Sequence, residues 1–169
     1  NIFLIAVGKS AGTMAEYVSQ KIKFNHGIVV VPKEVTPKLN KKIFEIINAG
    51  HPLPNRNSLK AGKNLVEFLN KTQKNDFVLF LISGGGSALS VYPNSISLRD
   101  KILVNEELIR SGANINEIAC VRKHLSLIKG GRLTQNMNCK GISFVVSDVI
   151  GDDITSISSG MTSYDKSTF

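Results

Sequence analysis

The chain has 169 residues, 42% hydrophobic and 20% charged, enough apolar side chain for one globular domain with a sizeable core. That composition excludes disordered, collagen-like and disulfide-scaffold proteins, and the lack of any run of 18 apolar residues excludes a helical membrane span. Lysine and arginine number 21 against 13 acidic residues, and the formal net charge of +8 raises nucleic acid, membrane headgroups and phosphorylated small molecules as partners.

Asn1 is followed at once by Ile2-Phe3-Leu4-Ile5-Ala6-Val7, an apolar run closed by Gly8 that reads as a buried strand of a parallel sheet. A chain that starts inside a central strand and stops after the polar Ser163–Phe169 is expected to be a segment of a longer one. No basic-then-apolar leader opens it. Ala11, Met14, Val18 and Ile22 recur at helical spacing and predict an amphipathic helix over 10–24. Gly27–Val31 is a second strand, stopped by Pro32, and a lysine-rich loop over 33–42 leads to a weaker strand at Ile43–Ile47. After Ala49-Gly50-His51-Pro52-Leu53-Pro54, Ser58 reads as the cap of a helix whose buried stripe is Leu59, Leu65, Val66 and Leu69.

Asp76–Ile82 is the strongest strand signal, and it runs directly into Ser83-Gly84-Gly85-Gly86-Ser87. Residues 98–111 and 114–129 predict two helices. The second opens on a capping box, Asn114 to Glu117, and sets Ile115, Ile118, Leu125 and Ile128 on one side. Ile142–Ser147 is the last strand, followed by Asp148-Val149-Ile150-Gly151-Asp152-Asp153. Strands alternating with helices imply βαβ units, hence an α/β three-layer domain with a mostly parallel sheet. Cys120 and Cys139 show neither metal-ligand spacing nor a disulfide framework, which points to a reducing compartment.

In open α/β sheets ligands bind beyond the carboxyl ends of the strands, and three strand ends here carry unusual chemistry. Ser83, Gly84, Gly85, Gly86 and Ser87 can bring successive N–H groups and two hydroxyls toward an anion, phosphate above all; a plain tight turn is the alternative. Lys9, in Gly8-Lys9-Ser10, stands between a strand end and a helix start, where it is either a phosphate-binding cation or a solvated lysine. Walker-type binding needs a further glycine where Phe3 stands, so that reading fails. Asp148, Asp152 and Asp153 offer carboxylates for Mg²⁺ or for a hydroxyl proton, or else make an Asp-rich turn with a helix cap.

Arg122 sits near the edge of the apolar stripe of its helix and is placed to fork onto a carboxylate or phosphate. Lys123, Lys129 and Arg132 read as a solvated basic face, and His51 and His124 as hydrogen-bonded structural residues. Scattered lysines, 7% aromatics and no Trp argue against nucleic acid. A dinucleotide fingerprint is absent, because Leu89 stands where its third glycine belongs.

Six motifs occur in order: Gly8-Lys9-Ser10-Ala11, Gly50-His51-Pro52-Leu53-Pro54, Leu81–Leu89, Val121-Arg122-Lys123-His124-Leu125-Ser126, Lys129-Gly130-Gly131-Arg132-Leu133 and Ser147–Asp153. Together they resemble the glycerate 2-kinases of the MOFRL type, some of which carry the name hydroxypyruvate reductase, and the resemblance runs from Gly8 to about Phe169. It implies that residues 1–169 are the Rossmann-like first domain of a two-domain cytoplasmic enzyme. That domain would be incomplete at both ends, with an opening helical segment and the C-terminal MOFRL domain absent. The implied reaction is ATP-dependent phosphorylation of D-glycerate with Mg²⁺, on the 2-position. Ser159-Gly160-Met161-Thr162 departs from the family's usual Ser-Gly-Pro-Thr, and Ser163–Lys166 lacks its second proline, changes that loosen the loop.

Under that resemblance Ser83–Ser87 would hold anionic oxygens of nucleotide or glycerate, and Lys9 would neutralise the transferring phosphoryl group. Arg122 would clamp the glycerate carboxylate, and Asp148 or Asp152 would hold Mg²⁺ or orient the attacking hydroxyl. The competing readings are a non-catalytic sugar-phosphate or nucleotide-binding module and an NAD-linked hydroxypyruvate reductase.

Overall fold

Five apolar runs pair side by side in parallel: β1 (Ile2–Val7), β2 (His26–Pro32), β3 (Phe44–Ala49), β4 (Phe77–Ser83) and β5 (Lys140–Val146). They form one sheet in the order β3-β2-β1-β4-β5. The computed structural model describes residues 1–167, the side chains of Ile115 and Asn116 excepted, so the expectations for Ile115 and Phe169 lie outside the described residues. β1 and β4 are central and read as unbroken apolar runs because both their faces are covered. Leu4, Ile5, Ala6 and Val7 are all fully buried.

Alternate side chains of the strands feed two cores. On one face Ile5, Val7, Ile28, Val30, Val78, Phe80 and Ile82 pack under α2 (Arg56–Asn70), with the short α3 (Gly86–Leu89) and the 3₁₀ turn Arg132–Thr134. On the other, Leu4, Ala6, Val29, Val31, Leu79 and Leu81 pack under α1 (Ala11–Ser19). Each fully buried Leu, Ile, Val or Phe contributes about 1.5–3 kcal/mol, and the three layers follow from that alternation. The α1 layer does not reach β5: Ile142 and Phe144 are about half exposed there, beside Ile2, Tyr17 and Ile22. Among the described residues no helix is long and apolar enough to cross a membrane.

Three boundaries differ from expectation for physical reasons. α1 ends at Ser19 rather than 24, because the chain must turn back so that Phe24 can bury beside Phe44. Ser58 is not the N-cap of α2. Asn55 is, its side chain accepting from the Ser58 N–H at 3.0 Å, while the Ser58 hydroxyl accepts from the N–H groups of Asn55 and Gly50. After α4 (Leu98–Arg110), helix α5 (Ile115–His124) opens on the expected Asn114–Glu117 box but stops five residues early. There the main chain pairs instead with Tyr92–Asn94: Leu127 N–H donates to Tyr92 O, and Asn94 N–H to Leu125 O.

Candidate active site at the switch point of the sheet

Strand order reverses between β1 and β4, the place where open parallel sheets bind ligands. The two loops that leave these strands interlock. Gly8 has φ 137°, and a Cβ there would lie 2.1 Å from Ser83 Oγ and 2.5 Å from Ser83 O. Only glycine lets the backbone pass so close. The passage lets Lys9 N–H donate to Gly84 O at 2.9 Å and Ser10 N–H donate to Ser83 Oγ at 3.0 Å. The Lys9 side chain is thereby projected over the glycine loop, its Cγ about one contact from Gly85, which has φ 87°.

The loop after β5 reaches the same spot. The Asp148 carboxylate lies against Gly84, where a Cβ would fall 1.8 Å from Oδ2. Lys9 Nζ stands 3.9 Å from Asp148 Oδ2, with both side chains about half exposed. A pair that long and that solvated holds little energy, about 0–1 kcal/mol, so an incoming phosphate or cation can rearrange it. Lys9, Gly84, Gly85 and Asp148 are therefore brought together.

Much of the glycine loop's hydrogen bonding is internal. Ser83 is buried; its hydroxyl serves Ser10, and its carbonyl accepts from the Ser158 hydroxyl at 2.6 Å. Gly86 N–H donates to Ser158 Oγ at 3.0 Å, and the Ser87 and Ser159 hydroxyls share a hydrogen bond of 2.6 Å. The amides of Gly85 and Ser87 find no acceptor among the described residues. Ser158, Ser159 and Gly160 are consecutive left-handed residues, with φ between 51° and 60°. Two non-glycine residues in that region cost about 1–3 kcal/mol each, a strain held by these hydroxyl bonds and by Met161, which is buried in the core.

The acidic cluster divides. Asp153 accepts from the Thr155 amide and hydroxyl and from the Ser156 hydroxyl, the Asx turn that the sequence offered as an alternative. Those bonds, led by Ser156 and then the Thr155 amide, hold its carboxyl below the ordinary range. Asp152 is exposed with φ 52°, and its carboxylate makes no hydrogen bond or ion pair among the described residues. Among the described residues no three His, Cys, Asp or Glu side chains converge as a metal-binding group.

Arg122 lies beside the loop, lining one cavity with Ser87, Val149, Ile150 and Ser159 and another with Ser87 and Lys101. Its basic neighbours are not a solvated face, contrary to expectation. Lys129 is fully buried and donates to Ser87 O at 2.9 Å; Lys123 is buried and pairs with Asp165 at 3.2 Å; Arg132 donates to the Lys123 and Lys129 carbonyls. His124 Nδ1 does lie 2.9 Å from Cys120 O, as a structural histidine would. His51 is instead exposed and rests on Gly85, brought there by the loop after β3. His51, Lys129, Ser158 and Ser159 also stand at this place and were not singled out for it in the sequence; His51 and Lys129 belong to the ordered motifs, which give no direction to a side chain, and Ser158 lies outside them all.

Several relatives are named as kinases of glycerate, and two from Agrobacterium vitis, 44% and 45% identical over 127 and 121 residues, are named putative hydroxypyruvate reductase. A Pyrococcus horikoshii protein named glycerate 2-kinase is 40% identical over 169 residues, 99% of this chain and 38% of its own length. A Thermotoga maritima protein named D-glycerate 2-kinase is 41% identical over 173 residues, 99% of this chain and 41% of its own. The crystal structure of glycerate kinase from Thermotoga maritima superposes with a TM-score of 0.94 at 39% identity, covering 99% of this chain and 41% of that one. The chain thus spans about two-fifths of the length of these relatives. A family model described as a domain of unknown function (DUF4147) matches residues 1–169, and the chain belongs to that family.

Proposed function

We propose that this chain is the first, Rossmann-like domain of a two-domain cytoplasmic glycerate kinase, transferring the terminal phosphoryl group of ATP to the 2-hydroxyl of D-glycerate. The observation that carries this reading is the meeting of Lys9, the Gly84–Gly85 backbone and Asp148 at the switch point. Phosphoryl transfer asks for positioning and charge neutralisation more than for covalent chemistry, and a cation opposite a carboxylate beside open amides supplies both. A module that only held phosphate would have no use for Asp148 in that place. The lengths of the relatives support a second domain, and the isolated chain is expected to be inactive if that domain closes over the site.

In this mechanism the Gly85 and Ser87 amides receive anionic oxygens and Lys9 neutralises the group in transfer. Arg122 takes the glycerate carboxylate. Mg²⁺ fits the residues present, because it keeps several waters and asks for only one or two carboxylates besides substrate phosphates. Asp148 is half exposed and already in the loop, and would hold the ion with or without Asp152; when bound, the ion supplies neutralisation of phosphate charge. If Asp148 is not so engaged, it orients the attacking hydroxyl.

The test is incubation of the full-length protein with ATP, Mg²⁺ and D-glycerate, in parallel with hydroxypyruvate and NADH. Formation of 2-phosphoglycerate supports the reading; NADH oxidation without phosphorylation overturns it.

A further inference from the structure

Three cations on the helical side lie together away from water. Lys129 is fully buried, Lys101 on α4 is 8% exposed, and Arg122 on α5 is partly buried. None of the three forms an ion pair with a carboxylate among the described residues. Lys123 shows that the fold can provide one: it is equally buried, and Asp165 stands 3.2 Å from it. Burial and the neighbouring Arg122 charge lower Lys101 to about 8, and burial, then Lys101 and Arg122, hold Lys129 well below the ordinary lysine range. A buried cation with no counter-charge is among the least favourable groups a fold can carry, and such groups cluster where a ligand supplies the missing charge.

The same place holds an orphan acceptor. Asn105 lies one helical turn from Lys101, on the same side of α4, and its Oδ1 is buried with no partner among the described residues. Lys101, Asn105, Arg122 and Ser87 line a cavity of about 40 Å³. That is about a tenth of the cavity beside it, so this space takes a group of a few atoms and not a nucleotide. Arg122 and Ser87 also line the adjoining cavity of about 400 Å³, which has the room for the rest of a substrate. Asp153 lines that larger space, but its carboxylate is occupied by Thr155 and Ser156.

We propose that Lys101 and Arg122 form a pocket for the carboxylate of a small hydroxy acid, whose hydroxyl donates to Asn105 Oδ1 and whose remainder passes Ser87 into the larger cavity. The proposal rests on the kinase reading for the identity of the acid. It extends that reading by giving Arg122 two partners in the cavity, Lys101 and Asn105, and by coupling the acid's arrival to protons. The groups at the cavity are Lys101 and Asn105 from α4, Arg122 from α5 and Ser87 from α3, and Lys129 is buried behind Ser87, donating to its carbonyl. An anion among them favours the charged lysines, so binding takes up protons near pH 8.

The test uses the full-length protein without nucleotide. D-glycerate is titrated calorimetrically at pH 8 in two buffers of different ionisation enthalpy, with wild type, Lys101→Met and Lys101→Arg. Expected are proton uptake in wild type, at least tenfold weaker glycerate binding with less uptake in Lys101→Met, partial retention in Lys101→Arg, and ATP affinity within twofold throughout. Lys101→Met removes repulsion from a buried cluster, so its melting temperature is expected to equal or exceed that of wild type, which separates lost binding from lost fold. Glycerate affinity unchanged by Lys101→Met, or ATP affinity falling by the same factor, overturns the pocket. If wild type phosphorylates no glycerate, the kinase reading fails by itself. The pocket is then judged by acetate and lactate, which must raise the melting temperature of wild type and not of Lys101→Met. Equal stabilisation of both, or stabilisation by inorganic phosphate alone, overturns it.

Discussion

Gly8→Ala compared with Gly112→Ala isolates the close approach that builds the switch point. Both glycines have positive φ, 137° and 75°. At Gly112 an added Cβ meets nothing within 4 Å, so the change carries backbone strain alone, about 1–2 kcal/mol. At Gly8 the same atom would fall 2.1 Å from Ser83 Oγ, 2.5 Å from Ser83 O and 2.8 Å from Ser83 C. Two of those neighbours are backbone of β4, held by parallel pairing of Val7 with Ile82, and cannot swing aside. Separating them adds an overpacking penalty of about 1–3 kcal/mol to strain of about 1–3 kcal/mol at a φ that alanine rarely adopts. The sum for Gly8→Ala is about 2–6 kcal/mol, against about 1–2 for Gly112→Ala. Urea unfolding of the two full-length variants measures the difference, and kcat for glycerate phosphorylation reads the displacement of Lys9. Equal destabilisation, within about 0.5 kcal/mol, would mean that the loops do not interlock as described.

Lys9→Ala removes the half-exposed cation while leaving the core untouched, so kcat is expected to fall about 10²–10³-fold with an unchanged melting temperature; turnover near wild type defeats the assignment. Ser158→Ala strips a buried hydroxyl that serves both Ser83 O and Gly86 N–H. It is expected to cost about 1–3 kcal/mol in urea unfolding and to raise KM for ATP, and neither change being seen would show the hydroxyl to be dispensable. The pH dependence of stability has a definite sign at Lys101. Between its lowered value of about 8 and the ordinary 10.5, the unfolded chain holds a proton that the fold has released, so its contribution to stability rises with pH across that window. Urea midpoints of the ligand-free protein at pH 8 and 10 should show a steeper rise in wild type than in Lys101→Met; parallel slopes would show that Lys101 titrates normally.

The sheet was legible because parallel strands covered on both faces are written as unbroken apolar runs, and each of the five was located to within about three residues. The helix ends were not, for reasons outside the helices: Phe24 needs the core, and Leu125–Leu127 finds main-chain partners at Tyr92–Asn94. That the loops carrying Lys9, Gly84 and Asp148 would meet was legible because the α/β topology dictates where strand ends go. Lys129 was misread as solvated because its neighbours in sequence, Lys123 and Arg132, suggested a polar face. Its burial depends on Gly130 and Gly131 pairing with Ser159 and Gly160, a contact between segments about 29 residues apart that no local pattern encodes.

These contacts also change what the glycine loop is for. A nest of successive N–H groups and two flanking hydroxyls would bind phosphate by backbone geometry, as a fingerprint motif does. Here the Ser83 hydroxyl, the Gly86 amide and the Ser87 hydroxyl are bonded to Ser10, Ser158 and Ser159, leaving the Gly85 and Ser87 amides. The loop is thus chiefly a scaffold, whose absent side chains admit the Asp148 carboxylate at Gly84 and His51 at Gly85. With so few backbone donors, recognition of anions falls, in the proposed function, to side-chain cations, Lys9 on the open side and Lys101 and Arg122 on the buried one. That division explains why neither Walker nor dinucleotide spacing is present although the site sits where those motifs do. It also gives part of the positive surplus of the sequence a location: Lys101, Arg122 and Lys129 have no carboxylate partner among the described residues, at the place where anionic substrates enter in the proposed function.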